Sequence, residues 1–189
     1  MKRNSVMQET PRRTSDSAAG FTLVELMLAM VVLIIGLLGT ATLLLSGLMA
    51  GLQAEDLAIA NQFAKEGIES VFTARITNTI PFSSVYNKSQ GGIFRDGYQP
   101  INALGPDGLV NTDVYASQPP LEFKDPGKDN IYGTADDKYI LYTRFSRQIL
   151  IQDYPGDNTQ RVITVNVQVT SRGITNLVTS MTTVMSPFN

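Results

Sequence analysis

The sequence predicts an α+β fold. One long N-terminal helix, apolar in its first half and amphipathic in its second, packs on a C-terminal antiparallel β-meander. Three observations predict it. Leu26 to Leu52 is an uncharged apolar run of 27 residues. From Glu55 onward apolar residues recur at helical spacing. In the last third they alternate with polar residues at period two.

The apolar run is longer than the ~20 residues a helix needs to cross a bilayer. It also exceeds the roughly 7–15 residues of a secretory signal core, and no cleavage signal follows it. The plausible processing point lies before it, so the run is expected to stay in the mature chain. Residues 1–20 carry Lys2, Arg3, Arg12 and Arg13 against Glu9 and Asp16. Basic charge beside an apolar helix is retained on the cytoplasmic side. Gly36, Gly39, Gly47 and Gly51 interrupt the run, each at a cost of about 1 kcal/mol against alanine in an ordinary helix. Gly47 and Gly51 read either as the general tolerance of membrane helices for glycine or as a site of close helix packing.

The amphipathic half follows without a break. Leu57, Ala60, Ala64, Ile68, Val71 and Phe72 form the expected apolar stripe, with Glu55, Lys65, Glu66, Glu69 and Arg75 between them. No proline lies between Pro11 and Pro81. The spacing therefore predicts one helix from about Phe21 to about Ile76. Three segments result. Residues 1–20 are a cytoplasmic leader, 21–54 a transmembrane or filament-core helix, and 55–189 an exported globular domain. Within that domain, 55–76 is amphipathic helix, 77–138 a loop region and 139–186 the β-meander.

Prolines at 81, 100, 106, 119, 120 and 126 break up residues 77–138, where short strands are expected near Ile93–Tyr98 and Leu121–Phe123. Tyr139 to Tyr154 reads as a longer, less regular strand closed by a turn at Pro155-Gly156-Asp157-Asn158. Ile163, Val165, Val167 and Val169 alternate with Thr164, Asn166, Gln168 and Thr170 in a half-buried strand. After a turn at Ser171-Arg172-Gly173, Ile174 to Met185 is the last strand.

Composition excludes several functions. The chain has no cysteine and no histidine, which removes disulfides, thiolate zinc sites and histidine general bases. The net charge is −2 for the whole chain and −4 beyond residue 20. A nucleic-acid partner is not indicated, since it would call for a basic patch. No catalytic constellation emerges. Phe94, Tyr98, Tyr115, Phe123, Tyr132, Tyr139, Tyr142 and Phe145 read as core and loop anchors.

Gly20-Phe21-Thr22-Leu23-Val24-Glu25, after a basic leader and before an unbroken apolar helix, resembles the processing site of type IV prepilins and type II secretion pseudopilins. The resemblance covers roughly the first 75 residues. It implies cleavage by a prepilin peptidase between Gly20 and Phe21, and N-methylation of Phe21. It also implies that Glu25 is the assembly residue, paired with the free amine of Phe21 on a neighbouring subunit. The implied partners are other pilin or pseudopilin subunits, an inner-membrane assembly platform and the membrane. The implied location is the inner membrane, crossed once, with the N-terminus cytoplasmic and the C-terminal domain periplasmic before entry into a filament. The stretch Leu26–Leu38 and the alanine-rich segment around Lys65-Glu66-Gly67-Ile68-Glu69 look most like the pilus modification minor pilins and minor pseudopilin I. Thr42 stands where major pilins often carry proline. The function expected is a structural minor pilin or pseudopilin, not an enzyme. The rival reading is a single-span anchored binding module, which would leave the Gly20–Glu25 pattern a coincidence.

A charge inside a bilayer costs about 2.5–3.5 kcal/mol on insertion scales and is functional by default, which singles out Glu25. A second cluster runs from Lys124 to Asp137, with four carboxylates and an amide spaced by glycines. Calcium takes six to eight oxygen ligands on such a loop. Asp125, Asp129, Asn130, Asp136 and Asp137 are therefore candidate Ca²⁺ ligands. The other reading of the same residues is a solvated polar turn.

Overall fold

The computed structural model describes residues 21–77, 79–171 and 173–187. Helix α1 runs unbroken from Leu23 to Ile76. The chain divides into two compact units, Met1–Leu48 and Met49–Asn189.

In the first unit every described residue of α1 is exposed. A methyl group added at Gly36, Gly39 or Gly47 would touch nothing within 4 Å. A helix apolar all round and without protein contacts needs lipid or another chain around it. Among the described residues α1 is the one helix long and apolar enough to cross a membrane.

The second unit has its own core. From Met49 onward, α1 buries Ala60, Phe63, Ala64, Gly67, Ser70, Val71 and Ala74. The stripe is rotated from the expected one. Ile68 and Phe72 lie at its margin, and Leu57 stays 44% exposed. Small residues replace large ones on the buried line because the helix lies close to the sheet. A Cβ on Gly67 would stand 3.1 Å from Val165 Cγ1 and 3.2 Å from Arg147 Cδ. Any larger residue there would make these side chains give by a few tenths of an ångström.

The main sheet has the order β1-β4-β5-β6 and is antiparallel throughout: β1 Gln99–Pro100, β4 Phe145–Tyr154, β5 Asp157–Ser171 and β6 Ile174–Met185. The inward residues of β5 are Arg161, Ile163, Val165, Val167 and Val169. Those of β4 are Phe145, Arg147, Ile149 and Ile151. Only β6 keeps its expected bounds at both ends. The turn before β5 is tighter than the expected four residues, because Gly156 at φ 84° closes it and Tyr154 already pairs with Asp157.

The segment from Tyr139 is not one strand. Strand β3 (Lys138–Leu141) leaves the meander to pair with β2 (Glu122–Asp125) in a separate two-stranded sheet. The break falls where Tyr142 turns inward. Its ring meets Phe63 edge-on at 5.3 Å, and Phe63 in turn meets Phe145 at 5.8 Å. Residues 93–98 form no strand either. They contribute a single bridge, Asn87 to Phe94, before the two-residue β1.

The loop region guards the outer edge of β4. Gln99 and Pro100 pair with Arg147 and Ser146. The buried Asn111 donates from Nδ2 to the Arg147 carbonyl at 2.9 Å. The buried Asn87 donates to the Ile149 carbonyl and accepts from the Ile151 N–H, each at 2.8 Å. Side-chain amides stand in for a missing strand, satisfying backbone groups that would otherwise be buried unpaired.

Arg147 is fully buried. Its Nη1 donates to the Phe63 carbonyl and to Glu66, each at 2.9 Å. Its Nε donates to Asn111 Oδ1 at 3.0 Å and its Nη2 to the hydroxyl of Tyr115, in the short helix α2 (Asp113–Ala116), at 3.1 Å. A fragment beginning at Glu55 keeps this network and is expected to fold as a monomer with mixed α and β circular dichroism. In that fragment Arg147→Met is expected to lower stability by about 3–5 kcal/mol, because it strands Glu66 and three other acceptors. Urea unfolding checks it, and a loss under 1 kcal/mol would mean the network is not what joins helix to sheet.

Candidate assembly site at the head of the first helix

Phe21 is 91% exposed, and α1 begins two residues later. Thr22 is the residue that starts it. The Thr22 hydroxyl accepts from the Glu25 N–H at 3.3 Å, while Glu25 Oε2 accepts from both the Thr22 N–H and its hydroxyl at 2.9 Å. This is a capping box, in which residues three apart each satisfy the other's first-turn donor. The carboxylate also faces the positive end of the helix dipole. Its second oxygen, Oε1, has no hydrogen bond among the described residues. Gly20 lies outside the described residues.

The acidic loop joins β2 to β3. Asp125 Oδ1 accepts from the Gly127 N–H at 3.0 Å and Asp129 Oδ1 from the Ile131 N–H at 2.9 Å. Asp136 accepts from the Lys128 N–H and the Thr134 hydroxyl, both at 2.8 Å. Asp137 Oδ2 accepts from the Gly133 N–H at 2.7 Å and pairs with the Lys124 ammonium at 2.7 Å. Asp125 and Asp136 line one cleft with Gly127, Lys128 and Lys138. Asp129, Asn130 and Asp137 are not part of that cleft. Among the described residues, no group of three or more possible metal ligands comes together. The loop's carboxylates are occupied instead by its own N–H groups, with Asn130 in the left-handed region at φ 56°.

Of the aromatic residues expected to anchor core and loops, Phe94, Tyr115 and Phe145 are buried. Phe123, Tyr132 and Tyr139 are 50%, 61% and 60% exposed, because neither the two-stranded sheet that carries Phe123 and Tyr139 nor the loop that carries Tyr132 is covered.

Residues 16–41 match the family model described as the prokaryotic N-terminal methylation motif. The match supports the resemblance to type IV pilin-like proteins. The matched span includes Gly20, Phe21, Thr22, Glu25 and the first half of the apolar run. The motif implies processing by a prepilin peptidase and assembly with other pilin subunits, and its family is structural rather than enzymatic. With the exposed apolar helix, the one candidate span among the described residues, it supports a membrane-anchored chain. No curated protein and no solved structure matches the chain.

Sequence reasoning singled out Glu25 in this pilin-like head but passed over Thr22, although Thr-x-x-Glu before an apolar run is a readable capping signature. In the acidic loop the Lys124 ammonium is committed to one carboxylate, that of Asp137. Its hydrogen bond holds the Asp137 carboxyl below the ordinary carboxylate value, and the Thr134 hydroxyl does the same for Asp136. Carboxyls depressed on folding stabilise above their ordinary value, and that contribution is lost as pH falls through the folded value. A carbon-13 carboxyl titration is therefore expected to place both midpoints below pH 3.8, the ordinary aspartate value. Lys124→Met is expected to raise the Asp137 midpoint and leave Asp136 in place. An unmoved Asp137 would remove the ion pair from the account.

Proposed function

We propose that this chain is a minor pilin or pseudopilin, a structural subunit of a type IV pilus or type II secretion filament. The observation that carries the reading is the methylation motif, laid over a capped carboxylate at the head of an apolar helix whose described residues up to Leu48 are all exposed. The peptidase cuts between Gly20 and Phe21, and the new Phe21 amine is methylated. Until assembly the helix crosses the inner membrane with its N-terminus cytoplasmic and its C-terminal domain periplasmic. At the assembly platform the subunit moves from lipid into a helical filament core. There Glu25 pairs with the Phe21 amine of a neighbour, which neutralises two charges that would be costly alone in an apolar surrounding.

Mass spectrometry of the mature N-terminus tests the processing step. The expected first residue is N-methylated phenylalanine, Phe21. An intact Met1 would sink this reading in favour of a simple membrane anchor.

Assembly is separable from insertion. Glu25→Leu is expected to be cleaved and inserted normally, since removing a carboxylate makes insertion cheaper by about 2.5–3.5 kcal/mol. Its incorporation into sheared filaments is expected to fall at least tenfold, which corresponds to a loss of about 1.4 kcal/mol per contact. Incorporation at the wild-type level would rule out the pairing.

The acidic loop is proposed to take one Ca²⁺ through Asp125, Asp129, Asp136 and Asp137, with Asn130. The supporting observation is Asp137, whose side chain is 5% exposed and whose Oδ1 is buried without a hydrogen bond. Binding to the folded state alone would add about 2.7 kcal/mol at a hundredfold excess over Kd. Thermal melting in millimolar calcium against chelator is expected to show a higher Tm with calcium. Equal values would leave the loop held by its own donors and Lys124.

A further inference from the structure

A groove of about 550 Å³ lies where α1 leaves its apolar run, within the ~300–1,000 Å³ of small-molecule sites. Met49 and Leu52 on α1 and Leu177 and Val178 on β6 form its apolar walls, and Asp56 and Arg144 sit among them. Met49, Leu52 and Leu177 are 57%, 60% and 60% exposed. Leu52 is the last residue of the apolar run, and α1 is continuous through it. A hydrocarbon core of about 30 Å takes up roughly the first 20 residues of that run. The next three turns then fall at headgroup depth, and those turns carry Met49, Leu52 and Asp56.

The polar pair has unused capacity. Arg144 Nη2 stands 2.5 Å from the buried Asp56 Oδ1, and the other carboxylate oxygen, Asp56 Oδ2, accepts no hydrogen bond among the described residues. Arg144 is 44% exposed on its side chain, and its other guanidinium donors bond no side chain among the described residues. A guanidinium with free donors suits a phosphate, and a carboxylate with a free acceptor suits an ammonium.

We infer that this groove holds the headgroup of a zwitterionic membrane phospholipid, phosphate on Arg144 and ammonium on Asp56, with the start of an acyl chain along Met49, Leu52 and Leu177. The lipid's two charges lie antiparallel to the protein's two, so all four are compensated. An anionic lipid without an ammonium would leave Arg144 alone to face both its phosphate and Asp56, so one negative charge would stay uncompensated. The site holds the globular domain against the bilayer surface before assembly, and the lipid leaves when the subunit does.

The inference rests on the membrane reading of the first half of α1, and the test separates the two. The full chain carries a benzophenone amino acid at Leu177 and is reconstituted in bilayers of equal parts phosphatidylethanolamine and phosphatidylglycerol. Illumination is expected to give lipid adducts by mass spectrometry, with phosphatidylethanolamine favoured on the order of fivefold, the size of one partly exposed charge interaction. Asp56→Asn and Arg144→Gln are each expected to bring the ratio towards one while the adduct persists. Equal labelling in the unsubstituted groove, or adducts mainly to protein, would overturn the inference. Release of the chain from membranes by alkaline carbonate would overturn the membrane reading itself, and this inference with it.

Discussion

The second unit depends on one buried cation. Arg147 has no exposed surface, and leaving a guanidinium buried and unpaired would cost several kcal/mol. It is affordable because four acceptors converge on it from three parts of the chain: two from α1, one from the loop at Asn111 and one from α2 at Tyr115. Its guanidinium also lies 5.5 Å from the centre of the Tyr115 ring. That geometry fixes the rest. The Phe63 carbonyl and Glu66 can reach it only if α1 crosses β4 at this level. Glycine suits position 67, because the Arg147 side chain and Val165 crowd the space beside it. Asn111 returns a hydrogen bond to the Arg147 carbonyl, so one residue anchors both the loop and the strand edge.

The same constraint explains what could be read in advance. Helix α1 was legible almost to the residue because nothing opposes its pattern: an apolar run, a charged face and no proline. Strand β6 was equally legible, since its β-branched residues have a single sheet to join. The stripe on α1 was misread by about one position. Periodicity rewards large apolar residues such as Leu57, whereas the contact also selects small ones such as Gly67, Ser70 and Ala74. No local signal marks Arg147 either. A lone arginine in a strand of alternating pattern reads as an outward residue, and only its partners some 30 to 80 positions away make burial possible.

The loop region was the least legible part for a related reason. Its structure comes from long-range side-chain bonds rather than from ladders. Asn87 and Asn111 finish the edge of β4, and the Ser70 hydroxyl on α1 accepts from the Val110 N–H at 3.1 Å. Such contacts leave no periodicity. They also do the work that a disulfide does in many small exported domains, in a chain that has no cysteine. The head of α1 was half legible: Glu25 stands out by its charge, while Thr22 is visible only to a reader looking for the cap.

That cap bears on how a carboxylate can wait in a membrane. An unpaired Glu25 would have to be lifted to the interface or protonated. With Oε2 taking the Thr22 N–H and hydroxyl, part of its solvation is supplied by its own first turn. The bonds are local, so they travel with the helix and cost nothing to re-form when the helix changes surroundings. They also use one oxygen only. Oε1 stays free to accept from an ammonium without first breaking the cap, so the proposed pairing with a neighbour would add to the helix start instead of competing with it. A carboxylate with no cap would gain more on pairing but would be harder to hold in lipid. One with both oxygens occupied would be held easily and gain little. Under the proposed assembly, holding it by one oxygen would let the same residue tolerate the bilayer and still favour leaving it.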